Sequence, residues 1–197
     1  MKKVITISRE YGAGGHSIGR QVAEELGIPF YDKTIVEATA KASGFDPDLI
    51  RAEEVDVSKT GAILRSICSS SIYYHDTQET IREVQKAVIR KIAQEGPCVI
   101  LGRCADAVLR DTEVETLNVF IHAPKAERAE RIVKLYGESD IAPEKRLDDK
   151  DARRKVNYKH FTGREWGLAQ NYHLSLDSSM LGIEGCVDLI ESVYRKS

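Results

Sequence analysis

Cysteine, proline and tryptophan are scarce among these 197 residues, at four, five and one. Cys68, Cys98, Cys104 and Cys186 stand far apart, with no C-x-x-C pair. That spacing argues against a disulfide framework or a zinc site, and for reduced, buried thiols in a cytoplasm. Long apolar runs are missing too: the aliphatic stretches are as short as Val99-Ile100-Leu101, so nothing in the sequence reads as a membrane span. Behind Met1-Lys2-Lys3 the apolar stretch breaks at Ser8-Arg9-Glu10, which is too short for the hydrophobic part of a signal peptide. Neither sign of charge dominates. Lys and Arg total 29 against 31 Asp and Glu, a formal net charge of −2. A broad basic face for nucleic acid is therefore not expected, whereas a local cationic pocket is compatible with the total. Internal repeats and low-complexity tracts are absent. The 42% hydrophobic and 30% charged residues describe a soluble globular chain of one-domain size, long enough to bury a core without staples.

What is present is a rhythm of short apolar strands and longer helical patterns. Val4-Ile5-Thr6-Ile7 reads as a first strand and Pro29-Phe30-Tyr31 as a short second. Pro97 to Leu101, Leu117 to Ile121 and Tyr172 to Leu176 read as three more. Between them, Ile18, Val22 and Leu26 step by four and stop at Gly27. Ile81, Val84, Val88, Ile89 and Ile92 share one helical face that ends at Gly96. Pro124 opens another helix at its first turn, and Gly182 to Tyr194 closes the chain. This alternation predicts an α/β fold, three layers around a five-stranded parallel sheet. Two stretches break the alternation, residues 40–80 and 137–168; both read as helical insertions, the second dense in charge. The expected single domain thus has a core of 1–39, 81–136 and 169–197 with those two insertions. Ligands of such sheets bind at the carboxyl ends of the strands, where insertions can close over them.

Ser8 to Arg20, SREYGAGGHSIGR, lies between the first strand and the first helix. Clustered glycines at a helix N-terminus offer backbone N–H groups and partial positive charge to an anion; the plainer reading is a glycine turn. The segment is not G-x-G-x-x-G, since Ser17 stands at the third glycine. It is near the phosphate-binding pattern G-x-x-x-x-G-K-[ST]. With Gly14 as the last glycine, Arg9 falls on the first glycine position and Gly15 on the lysine, followed by His16 and Ser17. It is a degenerate Walker A loop without its lysine. Arg9, with Arg20 or Lys33, is expected to supply the lost charge, and Ser17 to offer a hydroxyl to Mg²⁺.

The order of strand, glycine loop, helix ending Ala23-Glu24-Glu25-Leu26-Gly27, and then Phe30-Tyr31-Asp32 resembles a nucleoside monophosphate kinase, and among these the cytidylate kinase-like family. Val99-Ile100-Leu101-Gly102-Arg103 resembles that family's strand ending in Gly-Arg-Asp. Phe120 to Pro124 with Glu127 to Arg131 resembles the fourth strand and its arginine-bearing helix. Asp148 to Arg154 resembles the lid, and His173 to Asp177 the last strand. The departures are the missing lysine, Cys104 where an aspartate is usual with Asp106 two places on, and Asp151-Ala152-Arg153-Arg154 in the lid.

The resemblance implies a P-loop kinase fold and ATP-dependent phosphoryl transfer, with ATP and Mg²⁺ as cofactors. The acceptor would be a nucleotide or another small molecule, with no nucleic acid or membrane partner. It makes 40–80 the acceptor-binding insertion and 137–168 the lid. Arg9, Gly12, Ala13, Gly14, Gly15, His16 and Ser17 would hold the nucleotide phosphates. Arg103, Arg131 and Arg153 would serve the transferring group, and Asp32, Arg103 and Asp106 the acceptor. For several of these a quieter role stands beside the functional one: a helix cap for Asp32 or His16, a sheet-edge ion pair for Arg103, a solvated face for Arg153 and Arg154. At most one of the last two is expected to point inward. The alternative function is a nucleotide-binding sensor or partner module without turnover.

Overall fold

Side chains of opposite parity along the first strand bury into two different cores, and this sets the layers. The computed structural model describes residues 3–44, 46 and 71–196. Strand β1 is Lys3–Arg9. Ile5 and Ile7 pack with Val99, Val119 and Ile121 against Ile18 and Val22 on one face. Val4 packs with Cys98 and Ile100 against Ile35, Ile89 and Ala93 on the other. Strand side chains alternate faces, so a β-branched run buried on both sides is the mark of a central parallel strand. The remaining strands are β2 (Phe30–Tyr31), β3 (Cys98–Leu101), β4 (Glu115–His122) and β5 (Leu174–Asp177). The sheet runs β2-β3-β1-β4-β5 with every pairing parallel. The α/β, three-layer expectation with five parallel strands is met.

Helix α1 (Gly15–Leu26) and α7 (Ser178–Lys196) cover one face. Helix α2 (Lys33–Ser43) and α3 (Ser71–Glu95) cover the other. A short α4 (Ala105–Val108) follows β3. Helix α5 (Lys125–Tyr136) follows β4, and α6 (Pro143–Thr162) fills most of the second expected insertion. Helix α7 begins four residues before the expected Gly182, whose non-helical backbone (φ 69°, ψ 177°) interrupts it. Of the 40–80 insertion, α2 and α3 give the two ends; residues 47–70, Cys68 among them, lie outside the described residues.

Because all strands run the same way, their carboxyl ends share one edge. Arg9 ends β1, Gly102 and Arg103 follow β3, Asp32 follows β2, and Ser178 follows β5. β1 is central, and the chain moves from its β3 side to its β4 side. That reversal of strand order is where open α/β sheets form a crevice. Helix α6 approaches this edge on the stripe Leu147, Asp151 and Tyr158, all buried. Leu147 packs on Ala129 and Ile132 of α5, with Tyr11 against the cluster.

Candidate active site

The loop from Glu10 to Gly14 has its carbonyls held by donors around it. Tyr11 O accepts from Arg128 Nη1 at 3.1 Å, Gly12 O from Arg131 Nη1 at 2.9 Å, and Ala13 O from Ser178 Oγ at 2.7 Å. Glu10 O accepts from Ala13 N, and Gly14 O from Ile18 N. Among the described residues no protein acceptor meets the N–H groups of Gly12 and Gly14. Gly15, His16 and Ser17 then head α1, where the first N–H groups have no acceptor within the helix. Carbonyls tied back and N–H groups left over make the loop a nest for an anion. Gly12 can occupy its place only as glycine: its φ is +79°, and a Cβ there would lie 2.8 Å from Arg128 O and 2.9 Å from Ile132 Cγ2.

Asp151, on α6, joins the loop to the helices beyond it. Its Oδ1 accepts from Tyr11 N at 2.8 Å and Arg154 Nη1 at 3.4 Å; its Oδ2 accepts from Arg128 Nη1 at 2.6 Å. The Arg128 and Asp151 side chains are only 9% and 12% exposed, so this is a buried pair. Arg128 also donates to Ala123 O and faces Glu10 Oε2 at 3.3 Å. Arg154 reaches Arg9 O at 3.2 Å. One carboxylate thus connects the loop, α5 and α6.

Arg9 leaves the end of β1 and runs across the loop. A Cβ added to Gly15 would stand 2.7 Å from Arg9 Cβ and 2.9 Å from Cγ, and one added to Gly102 would collide with the guanidinium. Burial first, then Arg154 and Arg103, lower the Arg9 pKa to about 9, with Asp32 opposing. At neutral pH it remains a cation, and its side chain has no hydrogen-bond partner among the described residues. The turn after β3 that receives it has three consecutive positive φ values, at Gly102 (75°), Arg103 (60°) and Cys104 (51°). The two non-glycine residues hold a conformation that costs about 1–2 kcal/mol each.

Beyond this turn opens a cavity of about 510 Å³. Ten cations line it: Arg9 and Arg103 at strand ends, Arg82, Lys86 and Arg90 on α3, Arg110 after α4, Lys150, Arg153 and Arg154 on α6, and Arg164 beyond it. Asp111 is the one carboxylate among the described residues of the lining. Crowding is visible in the pKa values. Burial lowers Lys150, helped by Arg153 and Arg154, and burial lowers Arg154 against the pull of Asp151. Trp166 and Phe161 add aromatic surface. Arg82 lies 4.1 Å over the Phe161 ring and donates to Phe161 O.

Of the residues expected at the site, Arg9, Arg103 and Arg153 line this cavity. Arg153 and Arg154 both do, which corrects the expectation that only one could; arginine side chains reach a shared cavity from neighbouring positions of one helix. Arg131 holds Gly12 O and approaches Ser178 Oγ at 3.4 Å, outside the lining. Arg20 and Lys33 are exposed and also outside it. Asp32 precedes α2 without a side-chain capping bond. Its Oδ2 stands 3.6 Å from Nε2 of the exposed His16, whose ring meets Phe30 edge-on. Ser17 is exposed on the first turn of α1. Asp106 is 3% exposed and accepts a 2.6 Å bond from Tyr158 OH, while burial raises its pKa. Burial and Asp106 push the Cys104 thiol up to about 12. Sequence reasoning missed Asp151 as the link, and it missed Lys150 and the row of cations on α3. A basic stripe at Arg82, Lys86 and Arg90, spaced i, i+4, i+8, was the available signal.

The chain is similar to the cytidylate kinase of Pyrococcus horikoshii, 24% identical over 192 residues, which cover 97% of this chain and 88% of that protein. Among solved structures it resembles an uncharacterized protein from Eubacterium ventriosum, with a TM-score of 0.73, 22% identity and full coverage of both chains. It also resembles the shikimate kinase of Bacteroides thetaiotaomicron, with a TM-score of 0.57, 14% identity and 99% of each chain covered. Both structural likenesses concern the fold. The model of the cytidylate kinase-like family matches residues 4–180, nearly the whole chain and all of the loop, turn and cavity just described, and the chain belongs to that family.

Proposed function

We propose that this protein transfers the terminal phosphoryl group of ATP to a small acceptor, in the manner of a nucleoside monophosphate kinase. The observation that carries this reading is the junction of two features. A loop in which the Gly12 and Gly14 N–H groups meet no acceptor among the described residues adjoins a cavity that those residues line with ten cations and one carboxylate. The transfer itself asks little covalent chemistry of a protein: the acceptor oxygen bonds to the γ-phosphorus as the bond to the bridging oxygen breaks, and ADP leaves. What it asks for is positioning and cations around the moving group. In this reading the loop from Gly12 to Ser17 holds the nucleotide phosphates, and Arg103, Arg153 and Arg154 face the transferring group. Arg131 steadies the loop from behind, and the cations of α3 receive the acceptor. Asp32 stands beside the donor site, and Asp106 supports the turn from within. Helix α6, in the 137–168 insertion, serves as the lid that excludes water. Among the described residues no cluster of His, Cys, Asp or Glu is built to hold a metal. That suits Mg²⁺, which binds through few protein oxygens and several water and phosphate oxygens. Ser17 would be its protein ligand, and the ion would neutralise phosphate charge.

The test is a coupled assay of ADP release with ATP, Mg²⁺ and a panel of nucleoside monophosphates and phosphorylated or carboxylated small acceptors. Turnover with at least one acceptor is expected. Nucleotide binding without turnover on any acceptor would replace the kinase reading with that of a nucleotide-binding module, a reading favoured by the glycine at position 15.

A further inference from the structure

The register of the loop contains two departures, and the structure places them in contact. In G-x-x-x-x-G-K-[ST], glycine opens the loop and lysine follows its last glycine. Here arginine opens it and glycine takes the lysine position. Position 9 is thus the one that gained a long cation, and position 15 the one that lost it. The Arg9 stem fills the space that a side chain at 15 would need, since a Cβ there would stand 2.7 Å from Arg9 Cβ and 2.9 Å from Cγ. Only one of the two positions can carry a long side chain. The far end of Arg9 lies over Gly102, another position open only because it lacks a Cβ. The guanidinium there is half-buried, has no hydrogen-bond acceptor among the described residues, and faces Arg154 and Arg103 as well as Asp32.

We propose that Arg9 and Gly15 are one exchanged pair, in which the Arg9 guanidinium takes over the phosphate-binding role of the lysine missing at position 15. This deepens the kinase reading and rests on it. A lysine presents a single compact charge on a flexible stem; a guanidinium presents a planar fork that engages two phosphate oxygens at once. The exchange therefore keeps the charge at the loop while changing the geometry of its contact. It also explains why Arg9 stands close to Arg154 and Arg103, against the pull of Asp32, with no hydrogen-bond acceptor among the described residues. Its counter-ion is a ligand, and the free protein bears the cost of holding a half-buried cation for it.

The experiment uses the full chain and titrates ATP and inorganic triphosphate by calorimetry into wild type, Arg9→Met, Gly15→Lys and the double variant Arg9→Gly with Gly15→Lys. Thermal melting of each ligand-free protein runs alongside. Arg9→Met should weaken both ligands by about tenfold to a hundredfold, as expected for loss of a charged hydrogen bond. It should melt no lower than wild type, because the cation it removes makes no hydrogen bond among the described residues and takes the repulsion of Arg154 and Arg103 with it. Gly15→Lys alone should both weaken binding and lower the melting temperature. The double variant should bind ATP to within about threefold of wild type, because the two positions are coupled. Arg9→Met that binds triphosphate as tightly as wild type overturns the proposal, and so does a double variant no better than Gly15→Lys. Arg9→Met that melts well below wild type overturns it too, since Arg9 would then be structural. If wild type binds neither ATP nor triphosphate, the kinase reading fails and this one with it. If wild type binds and Arg9→Met binds equally well, the exchange alone fails.

Discussion

Like charges brought close raise the cost of keeping each one charged, and among the described residues this cavity gathers ten cations. Lys150 shows the consequence for pH. Burial and the nearby Arg153 and Arg154 set its pKa below the ordinary lysine value. The folded chain then binds fewer protons than the unfolded chain between the two pKa values. Stability therefore falls as pH drops through that window, and the penalty is fully in place below the folded value. An anion in the cavity reverses the shift, so ATP should bind with uptake of protons, more so as the pH is raised toward the ordinary lysine value. Calorimetry in buffers of different ionisation enthalpy measures this, and Lys150→Met should lower the uptake, leaving the share that belongs to Arg9. Single residues were unevenly legible from sequence. The loop register alone points to Arg9 and Gly15, because motif spacing is local information. The work of Arg128 is invisible there, because which carbonyl a guanidinium meets 117 residues away depends on the packing of α5 behind the loop. Asp151 sits in a run of charges that reads equally well as a solvated face.

At the scale of elements, turns carry the site and strands only aim it. The β-branched run of β1 was legible, though it extends from the four expected residues to Lys3–Arg9 because pairing with β4 reaches Arg9. Tyr172 and His173 were expected in β5 and lie just outside it; a 3₁₀ turn, Ala169–Asn171, occupies the approach. The reversal after β3 left no trace in the pattern, since arginine and cysteine are not residues that announce positive φ. Glycine positions separate turn from scaffold by experiment. Gly12→Ala meets backbone at 2.8 Å and takes on positive φ, which should cost about 2–4 kcal/mol. Gly96→Ala meets nothing within 4 Å and should change stability by no more than about 0.5 kcal/mol. Differential scanning calorimetry of the two variants decides it, and equal losses would contradict the close packing assigned to the loop.

Across the whole molecule, Asp151 is the point where loop, α5 and α6 meet. Asp151→Asn takes the nearer, buried carboxylate from Arg128 and leaves it only the half-buried Glu10. The expected loss is about 3 kcal/mol, or roughly 6–12 °C in melting temperature for a chain of this size. Hydrogen exchange in α6 should accelerate in the same variant; unchanged protection there would mean that the carboxylate does not hold the helix in place. The overall architecture was legible because alternation of strand and helix is written in hydrophobic periodicity. The charge of the cavity was not, because a net of −2 conceals its distribution. Among the described residues the cavity gathers ten cations and one carboxylate, in a chain whose Asp and Glu outnumber its Lys and Arg by 31 to 29. An anion drifting toward most of the surface is therefore turned away, and one that reaches the crevice is drawn inward. Productive encounters are selected before any contact is made. That selection weakens as salt shortens the reach of the field, to about 8 Å at physiological ionic strength, so the speed of capture, more than the tightness of the final grip, registers the ionic surroundings.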